Sequence, residues 1–489
     1  MLHGVHGPSA RLRRLLGLAV ALCLLGAGTA HATADGPVAP LRSEGRWITD
    51  ATGRVVQLRG VNEVAKSAPY YPSAFGFGAD DADFLARHGF NSVRLGVDFR
   101  GLMPTPGRVE HEYVEQLAGT VGELGRRGIF VLIDFHQDGF APKYNGNGLP
   151  DWMAIDDGLP NPPDAVFPLY YIQNPAMQRA FESLWANRPG PGGIGLQDYF
   201  VQGVTAVAKR FARSPHVLGY DVLNEPFPGA SWTQCVRTTG CPDLERQLFG
   251  PFNAKVTAAI RRQTRRQLVF VEPFVLFNFG VAPTSLPGAA SGNGLSFHSY
   301  AATPDAEPDV VDFAVSAAER DSAPLIATEF GATTSAPTLQ RLTAGFDRRF
   351  VPWMFWAYNE SVIDDPSLPA GLDNLASPDG FRALVRPYPV ALAGTPQHLA
   401  FDPATRVLDL TFSTTSPGGK RFWRWLPSVV HLPRLVYPEG YSVQVDGARV
   451  LSRRCGERLV LRTRAFARSV TVRVTPDAAA CAGKAVAPG

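Results

Sequence analysis

The 489-residue sequence predicts an α/β protein: a (β/α)8 TIM barrel followed by a C-terminal antiparallel β-sandwich domain. Eight short runs of apolar residues alternate with longer stretches of helical spacing, which is typical of a parallel sheet covered by helices. The eight runs end in polar or aromatic residues, as expected of a barrel whose site lies at the carboxyl ends of its strands. After Tyr358 the pattern changes to short alternating runs separated by turn residues, which favours a sandwich.

Composition and charge exclude several classes of protein. Hydrophobic residues make up 45% of the chain and charged residues 19%, which is ordinary globular usage and excludes disorder or collagen. The formal net charge is +3, but three arginines lie in the first 32 residues, so the remainder has 44 basic and 44 acidic residues. A neutral chain is not typical of nucleic-acid-binding proteins, and we expect no such partner.

Residues 1–32 have the three parts of a secretory signal peptide. Basic residues within 11–14 precede an apolar run at 15–26, and Ala30-His31-Ala32 fits the small-x-small cleavage rule. We expect cleavage after Ala32 or Ala34 and a secreted, extracellular protein. A retained N-terminal anchor is the alternative, although the apolar run is shorter than the ~20 residues that span a bilayer.

Four cysteines remain after the signal peptide, and they form two close pairs in sequence, Cys235 with Cys241 and Cys455 with Cys481. Of the three possible connectivities we predict this local one, because an exported protein meets an oxidising compartment and each pair lies in one predicted domain. Four free thiols or a metal site are the alternatives, but neither pair has the tight spacing of zinc ligands.

The barrel is predicted to occupy residues 33–385. Its predicted strands are residues 55–62, 90–97, 129–138, 217–225, 268–272, 295–300, 324–330 and 351–358. Helical spacing between the strands is clearest at residues 109–127 and 198–213.

The sandwich is predicted to occupy residues 386–489. Its predicted strands are residues 398–401, 407–413, 421–426, 440–445, 458–463 and 469–475. Trp423 and Trp425 share one face of the strand 421–426, and we expect them to pack against the barrel. A carbohydrate-binding platform is the alternative.

Polar and aromatic residues stand at the carboxyl ends of all eight predicted barrel strands. In strand order they are Asn62, Arg94, the set Asp134, His136 and Asp138, the pair Asn224 and Glu225, then Glu272, the pair His298 and Tyr300, Glu329, and finally Trp356 with Tyr358. A single polar strand end can be a turn or capping residue, but eight in succession indicate an active site at one mouth of the barrel.

Glu225 and Glu329 are the strongest candidates for catalysis, because they end the fourth and seventh strands, which lie on opposite sides of an eight-stranded barrel. Two facing carboxylates are the minimum equipment for glycoside hydrolysis, one protonated to donate and one ionised to attack. The sequence contains no dinucleotide fingerprint, P-loop or run of metal ligands, and we expect neither cofactor nor metal.

Asn-Glu-Pro at 224–226, a second Glu at the seventh strand, Arg94, His-x-Tyr at 298–300 and Trp356 together resemble glycoside hydrolase family 5, within the clan of retaining (β/α)8 glycosidases. The segments DFHQD at 134–138, NEPFPG at 224–229 and TEFGA at 328–332, with a β-rich C-terminal domain, are similar to the endoglycoceramidases. Those enzymes cut the β-bond between an oligosaccharide and ceramide.

The resemblance implies that Glu225 is the general acid/base and Glu329 the nucleophile of a double displacement. It further implies that Asn224 holds the sugar 2-hydroxyl, that Tyr300 orients Glu329, and that Arg94 keeps Glu329 ionised.

Further roles follow from the same resemblance. Trp356 would form the floor beneath the sugar, while His136 and Asp138 bind hydroxyl groups, joined by Lys66. His298 would support the site from behind.

Two loops rich in aromatic residues indicate that the substrate includes a lipid. The connection 139–197, after the third strand, contains Trp152, Phe167, Tyr170, Tyr171 and Trp185, and residues 68–77 contain four more aromatic side chains. Long loops at an active-site mouth are usually functional, and an apolar rim suits a lipid aglycone. A loop packed around its own small core is the alternative.

The main hypothesis is a secreted retaining endo-β-glycosidase that acts on glycosphingolipids through a glycosyl-enzyme intermediate. Transient contact with a micelle or membrane surface is expected, and no protein partner. The alternatives are an endogalactosylceramidase or β-glucanase of the same family, or a non-catalytic carbohydrate-binding protein.

Overall fold

Eight parallel strands close into a barrel in the computed structural model. The structure describes residues 36–164, 167–237, 239–281, 284, 292–301, 303–423 and 425–481. The predicted signal peptide lies outside the described residues. Within them, no helix combines the length and apolar character needed to cross a membrane.

The described strands are numbered in chain order, and three short ones come before the barrel: β1 (Arg42–Glu44), β2 (Trp47–Thr49) and β3 (Val55–Val56). The barrel strands are β4 (Arg59–Glu63), β5 (Ser92–Val97), β6 (Phe130–Phe135), β7 (Val217–Asp221), β8 (Leu268–Val271), β9 (Gly294–Ser299), β10 (Leu325–Phe330) and β11 (Trp353–Phe355). They pair in the order β10-β11-β4-β5-β6-β7-β8-β9. The eight predicted barrel strands are confirmed.

Helices connect the barrel strands on the outside, as the 3.6-residue spacing predicted. The α-helices are α1 (Ala79–Arg87), α2 (Phe99–Leu102), α3 (His111–Arg126), α4 (Tyr170–Gln173), α5 (Pro175–Trp185), α6 (Leu196–Phe211), α7 (Pro242–Gln263), α8 (Glu307–Asp321), α9 (Ala336–Arg349) and α10 (Pro378–Leu384). Single 3-10 turns lie at Pro72–Phe75, Pro142–Tyr144, Asp151–Met153, Pro191–Gly193, Gly229–Gln234, Val275–Phe279 and Pro304–Ala306, and one π turn at Tyr358–Val362.

Strands β1 to β3 lie within the range 33–385 that we predicted as barrel, yet they pair with strands of the second domain. The predicted strand 55–62 is therefore two strands, β3 and β4. The apolar pattern gave no sign of the break, because both halves are buried. Leu41 and Ile48 pack against Leu58 and Phe130, and so close the barrel at the amino ends of its strands.

Two antiparallel sheets form the second domain. The new strands are β12 (Tyr388–Leu392), β13 (Pro396–Asp402), β14 (Val407–Ser413), β15 (Ser428–His431), β16 (Tyr441–Asp446), β17 (Ala448–Val450), β18 (Arg458–Thr463) and β19 (Ser469–Pro476). One sheet has the order β1-β2-β3-β12-β15-β18-β17 and the other β13-β14-β19-β16. Leu410 and Val472 are among the side chains buried between them.

Five of the six predicted sandwich strands are present, but the prediction of a strand at residues 421–426 is wrong. The described residues of this segment, 421–423, 425 and 426, form no strand, and one isolated bridge joins Thr415 to Arg421. Trp423 is 75% exposed and Trp425 64% exposed, so neither packs against the barrel. Their alternation with charged residues imitated a strand, but the loop turns both rings to solvent.

The two domains share a buried ionic contact. Asp347, near the end of α9, accepts hydrogen bonds from Arg386 at 2.8 Å and pairs with Arg59 at the start of β4. Phe350 inserts into the core of the sandwich. The predicted disulfides Cys235–Cys241 and Cys455–Cys481 are both present.

Candidate active site

Glu225 and Glu329 face each other at the carboxyl ends of the barrel strands. Glu329 belongs to β10, and Glu225 follows β7 by four residues. One carboxylate oxygen of each, together with a ring nitrogen of His298, lie within 4.8 Å of one another. Both side chains are buried in this position. The structure therefore brings together the two residues that the sequence singled out.

Three side chains surround the carboxyl group of Glu225. Asn278 donates an amide N–H to Oε1 at 2.8 Å, His298 Nδ1 lies 3.0 Å from the same oxygen, and the Tyr171 hydroxyl donates to Oε2 at 3.4 Å. The backbone of Glu225 lies in the left-handed region, with φ of 45°. Strained backbone of this kind persists only where the surroundings hold it, as they do here.

Burial raises the pKa of Glu225 to about 7, although the hydrogen bond from His298 acts in the opposite direction. The negative charge of Glu329 adds to the increase. A carboxyl group with this pKa keeps a large protonated fraction near neutral pH, which is the property required of a general acid.

Two donors point at the carboxylate of Glu329. Arg94 Nη1 lies 2.6 Å from Oε1, and the Tyr300 hydroxyl donates to Oε2 at 2.9 Å. Both contacts stabilise negative charge on Glu329. The two glutamates therefore have different surroundings, one beside a guanidinium and the other among neutral donors and a histidine.

Arg94 lies at the centre of the site and is fully buried. Its guanidinium nitrogens lie 3.0 Å from Asp134, 3.1 Å from Asp221, 3.0 Å from Glu272 and 2.6 Å from Glu329. Burial alone would lower the pKa of Arg94, but the four carboxylates outweigh it and raise the pKa well above its ordinary value. One cation thus balances carboxylates from four strands or strand ends.

His298 connects the two halves of this network. Its Nδ1 faces Glu225, while Nε2 lies 3.1 Å from Glu272. Burial acts to lower the pKa of His298, but Glu272 and Glu329 raise it well above its ordinary value. His298, Glu225 and Glu329 are close enough to hold a metal ion. Glu329 already pairs with the Arg94 guanidinium at 2.6 Å and accepts from Tyr300, and the positive charge of Arg94 opposes a metal ion at this position, so the group does not fit one.

A second cluster of predicted residues lies on the other side of the cavity. Lys66 Nζ lies 2.8 Å from Asp138 and 4.4 Å above the ring of Trp356. His136 stacks on Trp356 with ring centroids 5.4 Å apart, and its Nε2 lies 3.3 Å from Asp138. Indole, imidazole, ammonium and carboxylate together form one polar wall of the cavity.

Charges within this wall set its protonation states. Burial acts to lower the pKa of His136, but Asp138 and Asp134 raise it to about 9. Burial acts to raise the pKa of Asp138, yet Lys66 and His136 hold it well below its ordinary value. The wall therefore presents two cations and one anion near neutral pH.

Asn224 lies between the two clusters. Its Oδ1 accepts a hydrogen bond from Arg94 at 2.8 Å, and its Nδ2 donates to the Gln137 carbonyl at 2.8 Å. Both ends of the amide are thus held in a defined orientation beside Glu225. All the predicted catalytic, binding and supporting residues lie in this one region.

The cavity between the clusters has a volume of about 470 Å³. Its charged and polar lining includes Lys66, Asp138, Glu225, Tyr300 and Glu329, with Trp356. Its remaining lining includes the apolar or aromatic side chains of Phe167, Pro168, Tyr170, Phe279 and Ala332. Loop 139–197 thus forms part of the cavity wall, and Tyr170, Tyr171 and Trp185 are buried in the main hydrophobic core together with residues of the barrel strands and helices.

A smaller cavity of about 240 Å³ adjoins Lys66. Glu63, Asp81 and Glu360 contribute carboxyl groups to its lining. Glu360 accepts a hydrogen bond from Trp356 Nε1 at 2.9 Å, which links this cavity to the main one. Burial raises the pKa of Glu63 well above its ordinary value.

The roles of three residues at the site escaped the sequence reasoning. Asn278 lies in a 3-10 turn and Tyr171 in the long loop, where no periodic pattern marks them. Glu272 was noted as a strand end without a role, yet it joins Arg94, His298 and the backbone N–H of Glu225. Only its position at a strand end distinguished it.

A (β/α)8 barrel with two facing carboxylates in different environments defines the class of two-carboxylate glycosidases. Comparison with known proteins narrows the class. Residues 49–362 match the cellulase domain of glycosyl hydrolase family 5, and residues 386–475 match the glycoside hydrolase family 5 C-terminal domain.

Similarity to individual relatives supports the same family. The chain is 33% identical to endoglycoceramidase I of Rhodococcus hoagii (strain 103S) over 462 residues, which cover 90% of this chain and 88% of the relative. It is 28% identical to an endoglycoceramidase of Hydra vulgaris over 82% of both chains. Among solved structures, endo-glycoceramidase II from Rhodococcus sp. superposes with a TM-score of 0.69, at 28% identity, over 88% of this chain and 99% of that one.

The chain therefore belongs to glycoside hydrolase family 5, as a member that resembles the endoglycoceramidases. It is a glycoside hydrolase, and the alternative of a non-catalytic carbohydrate-binding protein is set aside.

The pKa of Glu225 predicts the pH dependence of hydrolysis. For a glycoside with an alkyl leaving group, kcat/KM should fall as pH rises above about 7, because deprotonated Glu225 has no proton to donate. A dinitrophenyl glycoside is the matched control, since its leaving group needs no proton and its kcat/KM should lack this decline. An equal decline for both substrates would contradict the assignment of Glu225 as the acid.

Proposed function

We propose that this protein is a retaining endo-β-glycosidase that hydrolyses the bond between oligosaccharide and ceramide in glycosphingolipids. The observation that carries the proposal is the mixed lining of the cavity, which combines hydrogen-bonding and charged groups with aromatic and apolar groups and includes both glutamates. Relatives that are named endoglycoceramidases over nearly the full length of the chain support it.

Glycosyl transfer to the enzyme is the first step of the proposed reaction. A Glu329 oxygen attacks the anomeric carbon and forms a glycosyl ester, while Glu225 donates its proton to the oxygen that leaves with ceramide. In the second step Glu225, now a base, takes a proton from water, which attacks the anomeric carbon and releases Glu329. Retaining enzymes have carboxyl groups ~5 to 5.5 Å apart and inverting enzymes ~6.5 to 9.5 Å. Oxygens within 4.8 Å of each other support retention.

The polar wall would bind the sugar in the reacting position. Asp138 and His136 can bond to hydroxyl groups, Lys66 adds a second cation, and the Trp356 ring offers an apolar face to the sugar. Asn224, held beside Glu225, would contact the 2-hydroxyl, where hydrogen bonding strengthens in the transition state.

The apolar part of the lining would bind the start of the lipid. Phe167, Pro168 and Phe279 line the cavity. The Phe167 ring lies 6.5 Å from that of Tyr171, which donates a hydrogen bond to Glu225, the proposed proton donor to the leaving group. The adjoining acid-lined cavity supports endo-cleavage, because Glu63 and Glu360 can bond to the hydroxyls of further sugars beyond the reacting one. An exo-acting enzyme would need no such extension.

Two enzyme alternatives stay open under the same mechanism. A structure of an endogalactoceramidase superposes with a TM-score of 0.68 but at 23% identity, so this likeness supports the fold alone. A β-glucanase would use the same two glutamates without a lipid.

Product analysis decides among these substrates. We expect the mature protein, incubated in mild detergent with lactosylceramide, to release free ceramide and intact lactose, both measured by mass spectrometry. Galactosylceramide, glucosylceramide and a ganglioside should identify the preferred sugar next to ceramide. Cleavage of cellulose or mannan oligomers alone would contradict the lipid substrate while keeping the catalytic pair.

Glu329→Gln is the control for the same assay. The variant should release no ceramide, because an amide is a poor nucleophile. It should fold normally, since Gln has the shape of Glu, its oxygen can still accept from Arg94, and the Tyr300 hydroxyl can turn to accept from its NH2 group. A 2-fluoro glycoside should label Glu329 of the unaltered protein, as retention requires. Substantial turnover by the variant would refute the nucleophile role.

We further propose that the mouth of the barrel makes transient contact with the lipid surface that holds the substrate. Exposed apolar side chains lie on loops that follow the first, third and eighth barrel strands. They are Phe75, Phe167, Leu169, Leu368 and Leu372. Of the aromatic residues at 68–77, only Phe75 belongs to this exposed group. Phe77 is buried against Tyr358.

A double variant at the rim tests this contact. Leu368→Ser with Leu372→Ser should lower activity on glycolipid in vesicles about tenfold, since two partly inserted leucines contribute roughly 1 to 2 kcal/mol to binding. Activity on a monomeric short-chain analogue should not change. Val450→Ser with Leu451→Ser, an exposed apolar pair in the second domain, is the matched control. Equal losses of activity on vesicles in both double variants would refute the proposed contact between the barrel mouth and the lipid surface.

We propose, finally, that the protein is secreted. The signal-like residues 1–32 and the two disulfides support export to an oxidising compartment. The protein recovered from culture medium should begin at Thr33 or Asp35, as measured by N-terminal sequencing. Protein that stays in the membrane fraction with residues 1–32 intact would instead establish an anchor.

A further inference from the structure

Three large aromatic side chains on the second domain are exposed to solvent. Phe466 is 88% exposed, and the rings of Trp423 and Trp425 lie 6.3 Å apart at an interplanar angle of 33°. Trp423 and Phe466 also line one shallow groove of about 140 Å³. We name these three residues the aromatic surface. Exposed apolar groups gathered in this way usually mark a binding site.

Basic side chains flank the aromatic surface. Lys420, Arg421, Arg464 and Arg468 are all exposed, and Arg421 and Arg464 line the groove itself. Within the part of the chain that the structure describes, none of the four forms an ion pair. Residues 410–438 and 458–476 contain no Asp or Glu. The arginines are thus available for an anionic ligand.

The net charge of residues 386–489 also favours an anionic ligand. Residues 386–489 contain 15 Lys and Arg against six Asp and Glu, a net charge of +9. Residues 33–385 contain 29 basic and 38 acidic residues, a net charge of −9. The predicted mature chain is therefore neutral only because two regions of opposite net charge cancel, and the basic residues beside the aromatic surface belong to the positive region. A field of this kind steers polyanions to the second domain.

We propose that the aromatic surface binds an acidic polysaccharide. Indole rings offer flat apolar faces against which the C–H face of a sugar ring stacks, while Arg421 and Arg464 pair with its carboxylate, sulfate or phosphate groups. The site is separate from the catalytic cavity and does not depend on the function proposed for that cavity. It would hold the enzyme on an anionic polymer while the barrel mouth stays free.

The position of the surface favours a polymer over a lipid bilayer. Phe422, beside Trp423, lies against Gly53 in the turn between β2 and β3. That hairpin includes Ile48, which closes the barrel at the end opposite the catalytic glutamates. A bilayer bound here would face away from the mouth, whereas a flexible polymer leaves the mouth free to approach its substrate.

Binding to defined polymers tests the proposal. The mature, full-length protein is titrated calorimetrically with polygalacturonate, dextran sulfate, neutral dextran and sugar-free vesicles of anionic phospholipid. We expect the acidic polymers to bind and neutral dextran not to bind. Trp423→Ala with Trp425→Ala, and separately Arg421→Gln with Arg464→Gln, should each weaken polygalacturonate binding at least tenfold. Hydrolysis of a soluble glycoside and the thermal unfolding midpoint should not change in either variant.

Arg265→Gln with Arg266→Gln is the matched charge control, because it removes two exposed arginines from the barrel and should leave polymer binding intact. If Arg265→Gln with Arg266→Gln weakened polymer binding as much as Arg421→Gln with Arg464→Gln, the proposed site would be refuted. Full binding by the tryptophan variant would also refute it, since charge alone would then explain the affinity. Tryptophan-dependent binding to vesicles without binding to polygalacturonate would replace the polymer by a bilayer.

Discussion

The buried guanidinium of Arg94 is the charge on which the catalytic end of the barrel depends. Four carboxylates from different strands or strand ends point toward it, and in its absence they would repel one another in a buried region. Breaking a buried ion pair by removing one partner costs about 3 to 5 kcal/mol, and this cation serves four partners. Its position also determines which of the two glutamates pairs with the guanidinium, namely Glu329.

The difference between the two glutamates follows from that arrangement. Glu329 receives hydrogen bonds from Arg94 and Tyr300, whereas Glu225 is separated from the guanidinium and is buried beside Asn278 and Tyr171. His298 bridges the two environments through Glu272 and Glu225. Two chemically identical side chains can therefore act as acid and nucleophile, because burial controls one and charge pairing the other.

The second domain is joined to the barrel more closely than a linear domain map suggests. Strands β1 to β3 extend its larger sheet, and Asp347 holds Arg59 of the barrel and Arg386 of the second domain in one buried contact. The opposite net charges of the two regions add an electrostatic division of the molecule. The acid-rich catalytic end and the basic aromatic surface face different surroundings, and each can bind its own ligand without displacing the other.

The sequence by itself determined the eight barrel strands, the polar residues at their ends, and hence the pair of glutamates that face each other, because apolar period and residue type are local properties of the chain. The family resemblance added roles for residues such as Lys66 and Trp356, which composition alone would not distinguish. Only the tertiary structure decided that β3 leaves the barrel, that Asn278 and Tyr171 reach Glu225, and that Trp423 is exposed. These features arise where segments distant in sequence meet, and the contacts that fix them leave no periodic signal in either segment.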